Sequence, residues 1–272
     1  MATNRHESSI NVFFSLVRAG LWADVETMDI RIQGFTEPVD WNNVYQLAEE
    51  QSVVGVVAAG LDHVIDKKVP QEVLLQIVGE ALQIEQQNAA MNIFIGAIVE
   101  KMRAAGIYTL LVKGQGVAQC YEKPQWRVSG DVDFYLSHDN YEKAKDFLLP
   151  MATSVEPEGE YQNHLNMTID SWVVELHGSM RCGLSKQMDN VIDEVHHDIF
   201  YDGHVRSWQN CQTQVFLPSA GNDVMIVFTH FLKHFFKGEL VLGRFATGAD
   251  YCGRIVILLI ISSWRNDYHL RD

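Results

Sequence analysis

The sequence predicts an α+β fold in which strands in the middle of the chain lie between two helical regions. Three observations support this prediction. Apolar residues recur at helical spacing through the first hundred positions, apolar and polar residues alternate in the middle, and helical spacing returns after residue 220. We therefore expect an N-terminal helical region at 1–105, a strand-containing core at 106–180 and a C-terminal helical region at 181–272.

The N-terminal region shows the start and stop residues of helices. Ser9 precedes a first run of apolar residues at helical spacing, and Asp40 precedes a second. Pro70 is suited to the first turn of a long helix, and Gly106 is suited to its C-terminal end. Hence the first hundred residues are predicted to be almost entirely helical.

Two strands joined by a loop and a short helix are predicted between Tyr108 and Leu136. Because side chains alternate along a strand, Asp131 and Asp133 point to one side while Val132 points into the core. Neighbouring like charges make each other harder to ionise unless a cation lies between them, and Mg²⁺ is the simplest such cation. A solvated strand face is the alternative that an Asp-x-Asp pattern leaves open.

The residues around the two aspartates favour the metal hypothesis. Aspartate is depleted in strands, and Gly130 directly before the pair indicates a close backbone approach. Lys113 and Gly114 follow the first strand, where a glycine lets the backbone approach a phosphate group. Arg127 offers a bidentate contact to phosphate oxygens.

A β-hairpin is predicted at 164–177, with Asp170 and Ser171 at its turn. On its second strand Glu175 and His177 share a face. An unpaired carboxylate between apolar neighbours is costly, so Glu175 requires a partner.

Two roles are open for Glu175 from the residues themselves: a metal-free general base, or an ion-pair partner of Arg127. His177 and His164 either position a substrate hydroxyl, hold Glu175 by a hydrogen bond, or have a structural role. The residues alone leave these alternatives open.

The C-terminal region contains one clear helix, at 222–238, in which His230 and His234 share a face. No glutamate follows the first histidine, so the metalloprotease motif is absent. The histidines either pack in the core or face a pocket. The polar stretch 181–210, which contains His196-His197-Asp198, is interpreted as a solvated connection.

Composition limits the possible partners. The net charge of −14, from 35 acidic and 21 basic residues, argues against an extended nucleic-acid-binding surface. The four cysteines form no Cys-x-x-Cys pair, which favours a reduced, cytoplasmic setting. No signal-peptide pattern is apparent, and the apolar run at 255–261 is shorter than the roughly 20 residues of a membrane span. We therefore expect no membrane partner.

Several of these residues together resemble a known family. The string is Leu111-Val112-Lys113-Gly114, then Arg127, then Gly130-Asp131-Val132-Asp133, then Glu175-Leu176-His177. It is similar to the family called uncharacterised nucleotidyltransferase, within the DNA polymerase β-like nucleotidyltransferase superfamily. The resemblance extends from the helix before Gly106 to the helix near Phe235.

The resemblance implies a small mixed β-sheet of polymerase β type and a Mg²⁺-dependent nucleotidyltransferase. Two Mg²⁺ ions and a nucleoside triphosphate are its implied cofactor and substrate. The implied catalytic and metal-binding residues are Asp131, Asp133 and Glu175. The implied substrate-binding residues are Lys113, Gly114, Arg127, Gly130 and His177.

The implied reaction transfers a nucleoside monophosphate to a hydroxyl or phosphate group on a small molecule or a protein. One departure is that Gln115 follows Gly114, where the superfamily carries serine or glycine. This departure supports an alternative, a catalytically degenerate nucleotide-sensing or partner-binding module of the same fold. A metal-dependent phosphohydrolase using the same carboxylates is a third hypothesis.

Overall fold

The computed structural model of this chain describes residues 2–21, 39–65, 69–157 and 163–237. The residues fall into two compact units, Met1–Ala89 with Cys120–Val128, and Ala90–Gln119 with Ser129–Asp272. The last part of the region predicted to be helical, residues 238–272, which includes the apolar run at 255–261, lies outside the described residues.

The first unit is helical, as its apolar spacing predicts. Asp40 caps the second helix by accepting hydrogen bonds from the backbone of Asn42 and Asn43. The helices of this unit are α1 (Ala2–Leu21), α2 (Trp41–Glu50), α3 (Val54–Leu61) and the first part of α4 (Gln71–Ala104).

Helices α1 and α3 touch through their backbones at two glycines. A Cβ atom on Gly20 would lie 2.0 Å from the carbonyl oxygen of Val56, and one on Gly60 would lie 2.1 Å from that of Leu16. Any other residue at these positions would collide with the facing backbone, which cannot move as a side chain can. The glycines therefore set the spacing of the two helices.

We expect Gly60→Ala to lower the free energy of unfolding by about 1–3 kcal/mol, since the added methyl group overpacks a backbone contact. Gly79→Ala is the matched control, because Gly79 is exposed on α4 and a Cβ atom there would meet nothing within 4 Å. The control should gain about 0.5–1 kcal/mol from its better helix propensity. Urea unfolding of both variants measures the difference, and equal effects would contradict the close contact.

The segment Cys120–Val128 belongs to the helical unit and packs on α4. The indole N–H of Trp126 donates to Glu85 Oε2 at 2.8 Å. Asn88 donates to the carbonyl oxygens of Gln125 and Arg127 at 2.8 and 2.7 Å. The two bonds from Asn88 satisfy backbone carbonyl groups of a segment that has almost no regular structure of its own.

The second unit contains a seven-stranded mixed sheet with the strand order β3-β4-β5-β2-β1-β7-β6. Strands β2 and β5 are parallel, as are β1 and β7, and the other neighbours are antiparallel. This confirms the predicted α+β fold with a mixed sheet. The strands are β1 (Leu110–Val112), β2 (Asp131–Tyr135), β3 (Ser154–Val155), β4 (His164–Ile169), β5 (Trp172–His177), β6 (Val205–Asn210) and β7 (Thr213–Pro218).

The sheet is larger than expected, because β6 and β7 come from the region predicted to be helical. Apolar residues of α4 and of the helix after β2 cover one face of the sheet, and Val195, Ile199 and Ile226 pack on the other. The remaining helices are α5 (Gly114–Ala118), α6 (His138–Leu148), α7 (Lys186–Phe200) and α8 (Ala220–Lys237).

The interpretation of His196-His197-Asp198 as part of a solvated connection was wrong, because these residues lie in α7. The helix buries the stripe Ile192, Val195 and Ile199, and its polar residues occupy the other faces. Ser185 caps it by accepting a hydrogen bond from the backbone of Met188. The spacing of three apolar residues was obscured by the many polar residues between them.

His196 makes the stability of this unit depend on pH. Its Nδ1 atom lies 2.8 Å from the Tyr135 hydroxyl, and burial lowers the pKa of His196 despite the opposing charge of Asp193. The unfolded chain therefore takes up this proton near its ordinary pKa of about 6.5 while the folded chain resists it. The contribution of neutral His196 to the free energy of unfolding is therefore complete above pH 6.5, and it is lost as the pH falls through the folded-state pKa.

We expect His196→Gln to reduce the loss of unfolding free energy between pH 7 and pH 5, since glutamine has no such proton to bind. Chemical denaturation at both pH values measures that loss. His197→Gln is the matched control, because the His197 side chain is 64% exposed on the same helix. An identical pH dependence in parent and His196→Gln would contradict the role of His196.

Among the described residues, no helix combines the length and apolar character needed to cross a membrane. The cysteines that lie within the described ranges carry free thiols; they are Cys120, Cys182 and Cys211.

Candidate active site

Three adjacent strands present their polar side chains on one face of the sheet. In the parallel β2–β5 pair, Asp133 lies opposite Glu175. In the antiparallel β4–β5 pair, His164 lies opposite His177 and Asn166 lies opposite Glu175. Because side chains alternate along a strand, residues two apart on β2, β4 and β5 face the same side. Pairing of the three strands thus collects these side chains in one place.

The three carboxylates predicted from the sequence lie together. Asp131, Asp133 and Glu175 each offer an oxygen atom, and these atoms all lie within 4.8 Å of one another. A set of carboxylate oxygens is the donor chemistry that Mg²⁺ and similar hard cations prefer. The residues present therefore fit a divalent ion.

Lys113 places a positive charge at this cluster. Its ammonium nitrogen lies 2.5 Å from Asp133 Oδ1 and 3.9 Å from Glu175 Oε2, and the lysine side chain is only 11% exposed. The backbone of Lys113 has a φ of 54°, which is unusual for a residue other than glycine. Such a conformation costs of the order of 1–3 kcal/mol, and here it turns the side chain toward the carboxylates.

His164 and His177 hold the carboxylates from the other side. His177 Nε2 donates to Asp133 Oδ1 at 2.8 Å and lies 3.4 Å from Glu175 Oε2. His164 Nε2 lies 3.3 Å from the same Glu175 oxygen. The two rings are stacked, with centroids 4.6 Å apart and planes inclined by 9°. Both histidines thus contact the catalytic candidates directly.

The carboxylates differ in their electrostatic environment. Burial by itself raises the pKa of Glu175, but hydrogen bonds from His164 and His177 and the charge of Lys113 lower it below its ordinary value. Burial and then the charge of Asp133 raise the pKa of Asp131. Glu175 is therefore held as an anion, while Asp131 is the carboxylate with the least compensated charge.

Asp131 and Glu175 form part of the wall of a cavity of about 530 Å³. Such a volume is within the range of roughly 300–1,000 Å³ that holds small-molecule ligands. The cavity is lined by Lys113, Asp131, His164, Asn166, Glu175, His177, Ser179, Met180, Arg181, Cys182, Ile226, His230, Lys233 and His234.

Helix α8 supplies the wall opposite the sheet. His230 and His234 both face the cavity, and their Nε2 atoms lie 3.0 Å apart. Burial, with the charge of Lys113 and then of His234, lowers the pKa of His230 to about 3. His230 is therefore neutral at physiological pH, which allows one imidazole to donate a hydrogen bond to the other.

Three predicted substrate-binding residues do not line the cavity. Arg127 belongs to the helical unit, where its guanidinium group lies 5.9 Å from the centre of the Tyr121 ring and donates to the Val128 carbonyl. Gly130 has open space where a Cβ atom would be, and Gly114 is buried with a φ of 26°. The substrate-binding roles of Arg127, Gly114 and Gly130 stay predictions.

The sequence pattern did not single out Asn166 or Arg181 as site residues, although both line the cavity together with Lys233. The alternation along β4 was a usable signal for Asn166, because it lies two residues from His164. Arg181 follows β5 in an irregular segment, and Lys233 lies on a helix remote in sequence. No local pattern connects those two residues with the carboxylates.

Comparison with protein families agrees with this geometry. A family described as uncharacterised nucleotidyltransferase matches residues 37–246 of the chain, which include every residue of the cavity wall. The chain belongs to this family. A comparison with curated proteins found no match. For this uncharacterised nucleotidyltransferase, the sheet face and the cavity described above are therefore the candidate active site.

Proposed function

We propose that the protein transfers a nucleoside monophosphate from a nucleoside triphosphate to a hydroxyl or phosphate group on a small molecule or a protein. The observation that supports this most strongly is the cluster of Asp131, Asp133 and Glu175, two of which line one cavity, in a member of this family. Two divalent ions, Mg²⁺ in our proposal, would be held by these carboxylates, neutralise charge on the triphosphate and lower the pKa of the acceptor hydroxyl.

The residues around the carboxylates have separate tasks in this proposal. His177 donates to Asp133 and thereby orients its carboxylate. His164 does the same for Glu175. Carboxylates that are already oriented need little rearrangement when a ligand binds. Such preorganisation of charged groups is the main way in which a protein accelerates transfer of a phosphoryl-type group.

Positive charge on the cavity wall suits a triphosphate. The ammonium group of Lys113 pairs with Asp133 and Glu175, and the same group is positioned to pair with a phosphate oxygen. Arg181 and Lys233 add two further cationic side chains to the wall. Arg127, Gly114 and Gly130 complete the proposed substrate-binding set, with the two glycines permitting close approach of the backbone.

The acceptor is proposed to be small or a protein, and not an extended nucleic acid. The net charge of −14 opposes a long phosphate backbone, whereas the cavity offers room for a compact ligand. A reduced cytoplasmic setting, where triphosphates are abundant, is part of the same proposal.

The test is calorimetric titration of the four ribonucleoside triphosphates with and without Mg²⁺. We expect one of them to bind only with Mg²⁺, and Asp131→Asn to abolish that binding. Asp139→Asn is the matched control, because Asp139 is an exposed aspartate at the first turn of α6 and does not line the cavity. Absence of binding by every triphosphate would contradict the proposal.

A non-catalytic nucleotide-sensing or partner-binding module is the alternative. It is favoured by Lys113, whose ammonium group pairs with Asp133 and Glu175. It is also favoured by Gln115, which is buried where the superfamily carries a small residue. Pyrophosphate release distinguishes the three hypotheses. Release only with an acceptor indicates transfer, release with water alone indicates hydrolysis, and binding without release indicates the module.

A further inference from the structure

The cavity has a second group of potential ligands besides the three carboxylates. His164, Glu175 and His177 each offer one ligand atom, and these atoms lie within 4.8 Å of one another. Their side chains are 26%, 18% and 8% exposed, so the group is largely shielded from solvent. Two imidazoles and one carboxylate form a donor set very different from three carboxylates.

The distances from the two histidines to Glu175 match those between ligands of a tetrahedral metal ion. The Nε2 atoms of His164 and His177 lie 3.3 and 3.4 Å from Glu175 Oε2. Ligands about 2.0–2.1 Å from a tetrahedral zinc ion lie about 3.3–3.4 Å from each other. Imidazole nitrogens suit zinc and neighbouring transition metals, whereas Mg²⁺ prefers oxygen ligands.

We propose that His164, Glu175 and His177 form a binding site for a transition-metal ion of the Zn²⁺ class. This site shares Glu175 with the carboxylate set but differs from it in donor chemistry. The inference overlaps the proposed function at Glu175 and at the two histidines that orient Asp133 and Glu175. It requires no nucleoside triphosphate, so either can fail without the other.

Asn166 provides an independent indication that a ligand completes this part of the wall. Its Nδ2 group donates to Glu156 at 3.0 Å, which fixes the orientation of the amide. Its Oδ1 atom is buried and, within the described part of the chain, accepts no hydrogen bond. A buried acceptor without a donor is costly, and Asn166 pairs with Glu175 in the β4–β5 register. Water bound to the metal ion would be a suitable donor.

Metal binding requires a small rearrangement of the histidines. The lone pairs of two imidazoles lie in the ring planes, and planes inclined by only 9° do not direct both lone pairs at one point. One ring must therefore tilt, and His177 must exchange its hydrogen bond with Asp133 for the metal ion. Since Glu175 is then engaged, we expect bound Zn²⁺ to weaken Mg²⁺-dependent binding of the triphosphate.

The first experiment titrates chelator-treated protein with ZnCl₂ by calorimetry. The parent is expected to show one tight site that His164→Gln weakens by about 100-fold or more, since loss of a ligand costs at least as much as loss of a group that orients one. With Co²⁺, the parent should show the intense visible absorption of a tetrahedral ion, and His164→Gln should not. Equal Zn²⁺ affinity in parent and His164→Gln would overturn the proposal.

Two further variants separate this site from others. Asp131→Asn removes a member of the carboxylate set only, so it should retain Zn²⁺ binding while losing Mg²⁺-dependent triphosphate binding. His204→Gln alters the exposed group of Asp198, Asp202 and His204 and should also retain Zn²⁺ binding. Loss of Zn²⁺ binding in His204→Gln but not in His164→Gln would assign the ion to the exposed group and overturn the proposal.

Circular dichroism and thermal unfolding of His164→Gln keep the result interpretable. His164 is partly exposed, and the variant should retain the parent's spectrum and cooperative transition. A second variant, His177→Gln, should lose the same site. Tight Zn²⁺ binding in a chain that binds no triphosphate would support this inference while contradicting the proposed function.

Discussion

Asp131→Asn is expected to lower the rate of nucleotidyl transfer by about 10³-fold or more while leaving the fold intact. A metal-bound site supplies several kcal/mol of transition-state stabilisation, and about 4 kcal/mol corresponds to a factor of 10³. Asparagine keeps the shape of the side chain but removes its charge. Lys113 pairs with Asp133 and Glu175, whereas the nearby charge of Asp133 helps to raise the pKa of Asp131. Removing the negative charge of Asp131 therefore also relieves repulsion between the carboxylates.

Two readouts test this expectation. The first is the rate of pyrophosphate release from the triphosphate with a mixture of small hydroxyl-bearing acceptors, and the second is the free energy of unfolding in urea. The control Asp139→Asn should match the parent in both. A variant that retains half of the parent's rate would remove Asp131 from the catalytic set.

Asp133→Ala is expected to destabilise the fold by about 3–5 kcal/mol, because it leaves a buried ammonium group without its closest partner. Asp133 is 2% exposed and contacts both Lys113 and His177. Removing the lysine as well should restore much of the loss, since a buried ion pair replaced by apolar groups is often neutral in stability. The double variant Lys113→Met/Asp133→Ala is therefore expected to be more stable than Asp133→Ala alone.

A double-mutant cycle measured by urea unfolding gives the coupling between the two side chains. Asp193→Ala is the comparison, because Asp193 forms an ion pair with Arg181 in which both side chains are about half exposed. Such surface pairs contribute about 0–1 kcal/mol. If Asp133→Ala costs no more than Asp193→Ala, the pair of Lys113 and Asp133 is not the buried interaction described here.

The two expectations together explain why Lys113 matters to both stability and function. The ammonium group of Lys113 stabilises the neighbouring carboxylates of Asp133 and Glu175 in the folded chain. A divalent ion has to compete with that ammonium group for Asp133 and Glu175. Lys113 should therefore tune the metal affinity of the site, in addition to its proposed contact with phosphate.

Much of the candidate site follows from local sequence pattern. The alternation along β2 placed Asp131 and Asp133 on one face, and the alternation along β5 did the same for Glu175 and His177. Both alternations depend only on the geometry of a single strand, so a short stretch of sequence is enough to predict them. The caps and glycines at the helix ends are local in the same sense.

The rest depends on contacts between residues far apart in the chain. The parallel register that sets Asp133 opposite Glu175 depends on the packing of the whole sheet. The sequence predicted the helix α8 but left open whether its histidines face a pocket, and it did not separate β6 and β7 from the region predicted to be helical. The sequence by itself determined which residues could bind a metal ion and which face of each strand carries them. Only the tertiary structure decided that Lys113 pairs with Asp133 and Glu175 and that two histidines contact Glu175, because strand pairing and a left-handed backbone turn bring these side chains together.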